Sequence, residues 1–248
     1  MDNPLLIALS RQQALARQFD VIANNMANLR TTGYKGETLI FEEFLMPVTD
    51  DAAASGSGST ASFVVEVGTF RDLSEGRFER TGNPLDVAIS GPGWLVVETP
   101  DGERYTRDGA LKIGPDGELV NNQGYPVLGE EGPILFTPDE RDIVIGPDGA
   151  IASSGGEKGR LRLVTFDEED LGLLQKVGGN LYDIDAAPEP AEDARLIQNM
   201  LEGSNVQPVV ETARMIEVSR AYAATGMLLD QMHTLRRDAI DKLGSVPN

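Results

Sequence analysis

The 248-residue chain contains no cysteine. Disulfide scaffolds, thiolate metal sites and cysteine nucleophiles are thereby excluded, and a chain without thiols tolerates reducing and oxidising compartments alike. A single histidine, His233, sits among Met232, Thr234 and Leu235. A serine triad needs a histidine held by a carboxylate in a pocket, so this one reads as a helix-surface or seam residue. Aromatics make up only 6% of the chain, with one tryptophan, Trp94, which points to modest, thin cores. No apolar run approaches the roughly 18 residues of a membrane-spanning helix, and no direct membrane insertion is expected. Asp2 precedes any basic residue and the apolar run from Leu5 to Leu9 is short, a poor fit to a cleavable signal peptide. On these grounds alone the chain is expected in the cytoplasm.

Positive charge is also scarce. The formal net charge is −19, and a surface this acidic repels phosphate backbones, which argues against nucleic-acid binding. The imbalance is local. Residues 1–35 carry a net +2 and residues 205–248 a net 0, whereas residues 36–204 hold 12 basic against 33 acidic side chains. The ends suit packing and the middle suits solvation.

What is present begins with two amphipathic segments at opposite ends. Asn3 and Pro4 form a helix start, with a capping side chain followed by a proline inside the first turn. Leu5, Ala8, Gln12, Leu15, Phe19, Ile22, Met26 and Leu29 then recur at steps of three and four, with Leu9 widening the stripe. This is the seam of a helix that meets a partner helix, and Gly33 is a natural stop beyond it. In the last segment, Ser204 and Gln207 have capping-box spacing and Pro208 falls in a tolerant first turn. Met215, Val218, Tyr222, Thr225, Leu229, Met232, Arg236, Ala239 and Leu243 keep the same rhythm, with Leu228 and Leu235 beside it. The two seams are each other's expected partners, as an antiparallel coiled coil. Short isolated helices are marginal in water, so this pairing is expected to gain order from further chains.

Between the helices the pattern turns to strands. Runs such as "FVVEV" (63–67), "WLVVET" (94–99), "DIVI" (142–145) and "LRLVTF" (161–166) are apolar and β-branched, and Pro-Asp-Gly recurs at 100–102, 115–117 and 147–149. Each triplet is a hairpin-type turn with glycine in the left-handed position. The fold class is therefore α+β: long terminal helices and a central antiparallel β-rich domain. The expected division is a helix over 1–32, an extended flexible connector over 33–62, a β-rich domain over 63–185, a linker over 186–203 and a second helix over 204–248. The Gly/Ser/Ala-rich stretch 51–62 and "AAPEPAED" (186–193) mark the breaks.

Signatures of chemistry are weak. "DEED" (167–170) lacks the ligand spacing and central glycine of a calcium loop. The adjacent pairs Glu42/Glu43 and Glu130/Glu131 are what 40 acidic residues produce by chance. "SGPGWL" (90–95) and "SSGGEKG" (153–159) lack the endings of phosphate loops, and Trp94 reads as a core anchor. No catalytic, metal-binding or cofactor-binding residue is expected. Two other readings remain at this point: a periplasmic cell-wall hydrolase with convergent carboxylates in the β-domain, or a sugar-binding β-domain on a coiled-coil stalk.

One feature of the first helix needs an account. Asn24, Asn25 and Asn28 crowd its last turns, although asparagine is a poor interior helix former and a strong bonder to backbone. Either these residues fray the helix end into water, or their amides bind neighbouring chains, with Tyr34 and Lys35 extending that surface.

The segment "ANNMANLRTTGYK" (23–35) closely resembles the N-terminal motif of the bacterial flagellar rod and hook proteins. The likeness recurs in "GRFERTGNPLDVAISGPGWLVV" (76–97), in "YTRDGALKIGPDGELVNNQGYPVLG" (105–129) and in "SNVQPVVETARMIEVSRAY" (204–222), in the family's order and over more than a third of the chain. The residues that carry it include Asn24, Asn25, Asn28, Thr31, Gly33, Tyr34, Lys35, Ser204, Asn205 and Val206. Length and the start "MDNPLLIAL" are most similar to the family's proximal-rod member. The distal-rod member comes next, and the hook protein less so because it would carry an extra β-domain. Trp94 stands where the family usually has phenylalanine, and Ala223 and Thr225 stand where it often has glutamate and asparagine.

The resemblance implies a structural subunit and no enzyme. The terminal helices would line the inner tube of a rod around an export channel, with assembly through Leu5, Leu9, Leu15, Phe19, Ile22, Met26, Leu29, Met215, Val218, Tyr222, Leu229, Met232 and Leu235. Its partners would be other copies of itself, neighbouring rod proteins and, during secretion, the flagellar type III export apparatus. It also implies a periplasmic location in the basal body, reached without a cleaved signal peptide.

Overall fold

The computed structural model describes residues 3–48 and 59–244. The fold is α+β, with a central antiparallel β-rich region between N- and C-terminal helices. The chain separates into two compact units. The first contains residues 1–27, 37–70 and 207–248, and the second residues 28–36 and 71–206.

In the first unit, helix α1 runs over Asn3–Ala27. It stops short of residue 32, so Leu29, expected on its seam, lies beyond the helix in the second unit. The C-terminal helix, labelled α3 below, spans Pro208–Gly244. It begins at the proline rather than at Ser204, because proline fits the first helical position, where no backbone donor is needed. The expected capping box is therefore not formed, and the Ser204 hydroxyl instead accepts a bond from the Val206 N–H at 3.3 Å. Helices α1 and α3 pack on one another, and α1 also packs on the strand Glu37–Val48.

The stretch 33–62 was expected as a flexible connector. Within it, Glu37–Val48 is a strand that pairs with Ser59–Arg71 as a two-stranded sheet. Most of the Gly/Ser-rich part, 51–58, lies outside the described residues.

The second unit is built on a six-stranded sheet with strands in the order Gln175–Gly178, Leu181–Asp183, Gly102–Thr106, Trp94–Thr99, Leu163–Thr165 and Glu189–Pro190, all pairings antiparallel. Successive side chains of a strand point to opposite faces. On Trp94–Thr99, Leu95 and Val97 join one apolar cluster with Val87, Ile89 and Leu196, while Trp94 and Val96 join another with Tyr105, Phe166 and Tyr182. The central strand is thus covered on both faces, and each such side chain contributes roughly 1.5–3 kcal/mol by leaving water. Trp94 is a core anchor, as expected, and meets the Tyr182 ring edge-on at 4.9 Å.

Two further antiparallel pairs close the unit: Val87–Ser90 with Arg195–Gln198, and Phe78–Arg80 with Met200–Glu202. The stretch expected as a linker, 186–203, therefore supplies three strands to the β-region. The Pro-Asp-Gly turns form as expected, with Gly102, Gly117 and Gly149 all at positive φ. The acidic run 167–170 opens a one-turn helix, α2, over Glu168–Leu171.

Candidate assembly interface

On α1 the seam divides into a covered and an open part. Ala8 and Ile22 are buried, whereas Leu9 and Phe19 are exposed, Phe19 by 39%. Leu5, Leu15 and Met26 are half-buried. On α3, Val218 and Thr225 are buried, and Met215, Leu229 and Met232 are half-buried. Tyr222 and Leu235 stand open, at 43% and 68% exposure. A groove of about 300 Å³ runs between the helices, lined by Ala16, Phe19, Asp20, Ser219 and Tyr222. Val209, Ile216, Met227 and Ile240 add further exposed apolar surface to α3. The helix pair thus leaves many large apolar side chains in water, more than scattered single exposures would account for.

Asn25 behaves differently from the expectation that the asparagine amides serve neighbouring chains. It is buried, and it accepts from the Glu37 N–H at 3.0 Å while its amide group donates to the Glu37 carbonyl at 2.8 Å. The same amide reaches Glu211 Oε2 at 3.4 Å, and Glu211 is held on its other oxygen by Arg214 at 2.8 Å. Asn25 therefore fastens α1 to α3 and to the first strand inside one chain. Asn24 is exposed. Asn28 accepts the Thr31 hydroxyl at 3.0 Å and the Thr31 N–H at 3.2 Å, which turns the chain directly after α1.

Gly33, Tyr34 and Lys35 lie within the β-region. They do not form a surface for other chains, since Tyr34 is 1% and Lys35 0% exposed. Gly33 has φ 63°, and a Cβ there would lie 2.4 Å from the Arg107 carbonyl carbon, so only glycine fits. The Lys176 ammonium sits 3.7 Å from the centre of the Tyr34 ring, a cation–π contact. Lys35 donates to the Ser74 carbonyl at 2.6 Å and to Glu202 Oε1 at 2.7 Å. Asn205 accepts from the Gly36 N–H at 2.8 Å and donates to the Asp72 carbonyl at 2.7 Å. Val206 is half-buried.

A flagella basal body rod protein model matches residues 5–35. The flagellar hook protein FlgE/F/G D1 domain matches residues 88–153, and the flagellar basal body rod FlgEFG protein C-terminal model residues 197–241. The flagellar basal-body rod protein FlgF of Caulobacter vibrioides is 40% identical over 99% of this chain and 100% of its own length. FlgF of Mesorhizobium japonicum is 35% identical over 99% of each chain. FlgG of Buchnera aphidicola subsp. Schizaphis graminum is 33% identical over 82% of this chain and 85% of its own. The chain belongs to the flagellar basal-body rod protein family.

In this rod-family chain the three matched blocks correspond to distinct physical pieces. The first covers α1 and the buried Gly33–Lys35 turn, the second much of the β-region, and the third the end of that region with most of α3. Sequence reasoning missed the two residues that organise the Lys35 site, Arg107 and Glu202, both buried. Charged residues usually read as surface. The one available signal was that Arg107 lies within the resembling block 105–129.

Proposed function

We propose that this chain is a structural subunit of the proximal rod of the flagellar basal body, a length of drive shaft that surrounds the export channel and transmits torque. The observation that carries the reading is a pair of helices from opposite chain ends, packed together, with Phe19, Tyr222 and Leu235 still in water. The pair runs as an antiparallel coiled coil: Asn25 meets Glu211, and the earlier residues Phe19 and Asp20 share a groove with the later Ser219 and Tyr222. At about 1.5 Å per residue, α3 with 37 residues is longer than α1 with 25 by about 18 Å. The last turns of α3, with Leu235 and Ile240 open, are left for other subunits.

In this reading residues 1–32 and 204–248 form the rod core, through the seams of both helices, and the β-region contacts neighbours outside it. The partners are other copies and adjacent rod proteins, and the export apparatus during secretion. The subunit is not an enzyme. Its location is the periplasmic rod. Among the described residues no helix is long and apolar enough to cross a membrane. The FlgF relative from Caulobacter is 40% identical to the chain, against 33% for FlgG of Buchnera aphidicola subsp. Schizaphis graminum, which favours the proximal over the distal rod.

Immunogold labelling of purified basal bodies tests this. Label on the membrane-proximal rod is the expected result. Label on the distal rod supports the distal alternative, and basal bodies without label refute both.

A further inference from the structure

The two ends of the β-region are fastened to one another by a buried network. Glu202 is fully buried and takes Lys35 on one oxygen at 2.7 Å and Arg107 Nε on the other at 2.9 Å. The Gly76 N–H adds a bond to Oε1 at 2.8 Å. The Arg107 guanidinium makes three further bonds, to the carbonyls of Ile89, Gly91 and Gly93, at 2.9, 3.1 and 2.9 Å. Backbone bonds run alongside: Gly33 N–H to the Glu202 carbonyl at 2.7 Å, Asn205 N–H to the Tyr34 carbonyl at 3.3 Å and Asp72 N–H to the Gly36 carbonyl at 2.9 Å. Asn205 joins Gly36 to Asp72 through its side chain.

These bonds lie where the chain enters and leaves the unit. The unit's segments are 28–36 and 71–206, so the chain passes from α1 into the unit at Asn28, out to the hairpin and back at Gly36 and Arg71, and on to α3 at Val206. Tension or torque on α1 and α3 travels along the covalent chain to residues 28–36 and 202–206. There it meets bonds that cross directly from one end to the other, before it reaches the sheet.

We propose that Lys35, Glu202, Arg107 and Asn205 form a mechanical clamp that receives force from the terminal helices and shields the β-core from being peeled open. The purpose rests on the rod reading; the clamp itself does not. Buried ion pairs are a weak device for thermal stability, because desolvation offsets attraction. Two cations sharing one carboxylate make the thermal argument weaker still. Burial, with the Arg107 charge, pulls the Lys35 ammonium below the usual lysine value, and Glu202 pulls the other way. What the arrangement does supply is a short, dry tie between segments far apart in sequence.

Single-molecule pulling of the full chain by its termini tests the clamp. The wild type is expected to show one dominant force peak that releases the residues between Lys35 and Glu202 in a single step. Lys35→Met leaves Arg107 and Glu202 as a balanced pair, so the core should keep its amide exchange protection while the peak is lost. Asn205→Ala removes the tie that Asn205 makes between Gly36 and Asp72 from a half-buried position and should lower the same peak. Val96→Ala, a core truncation, should lower thermal stability and keep the peak. A Lys35→Met chain with a protected core and an undiminished peak overturns the clamp, as does a peak that follows thermal stability across all three variants. If Lys35→Met loses core protection, Asn205→Ala decides: an unchanged peak overturns the clamp and a lowered one supports it. Basal bodies that lack the wild-type chain would refute the rod reading and leave the pulling result standing.

Discussion

At the scale of single residues, the side chains that resist easy reading are polar and buried. Asn25, read from the sequence as either fraying the helix end or serving other chains, does neither within the monomer: it satisfies the Glu37 backbone and reaches Glu211. Asn25→Ala removes these buried bonds and should cost about 1–3 kcal/mol of monomer stability, read by urea unfolding of the purified chain. An unchanged midpoint would show that the amide is idle there. Gly33→Ala combines a left-handed backbone with a clash against Arg107, and should cost at least about 2 kcal/mol in the same measurement.

Glu140 gives a pH signature. The Lys158 ammonium bonds it closely, with Thr137 and Ser153 at 2.9 and 3.0 Å, and its carboxyl is lowered to about 2 from 4.5. A depressed carboxyl pKa stabilises the fold above the unfolded value and loses that contribution as pH falls from about 4.5 toward 2. The stability gap between the wild type and Glu140→Gln should therefore be widest at neutral pH and shrink across that window. A gap independent of pH would contradict the assignment.

At the scale of elements, the two long helices show how a seam can be both internal and external. Ile22 is 4% exposed and Phe19 39%. Ile22→Asp puts a charge into the helix pair and should reduce monomer helicity by circular dichroism. Phe19→Asp and Leu235→Asp should leave the spectrum intact and abolish incorporation into basal bodies. Equal effects of Ile22→Asp and Phe19→Asp on the monomer would mean that the open stripe is not a separate surface.

Both helices were legible because a three-four rhythm over many turns has no competing explanation. The ends were less so, since Leu29 kept the rhythm after the helix had turned at Asn28. The Pro-Asp-Gly turns were legible from local chemistry alone. The strands at 189–202 were not. They are two to four residues long, and Glu189–Pro190 is an edge strand, where proline is tolerated. Their pairing partners lie more than a hundred residues upstream, or, for Glu189–Pro190, in the strand Leu163–Thr165. The Lys35–Glu202–Arg107 site was hidden for the same reason: no local pattern marks charges that meet only when the ends of a domain are brought together.

At the scale of the whole molecule, the contrast between the units matches a subunit completed by its neighbours. The β-region buries apolar side chains on both faces of its central strand, while the helices leave much of theirs in water. The acidic middle of the chain, with 33 acidic against 12 basic side chains over 36–204, opposes association through its outer surface by like-charge repulsion. Electron cryo-microscopy of the purified basal body, at a resolution that traces individual helices, tests this most directly. The account predicts α1 and α3 side by side in the wall of the inner tube, with Phe19, Tyr222 and Leu235 against adjacent subunits. A map in which these helices extend into solvent and touch no adjacent subunit would contradict it.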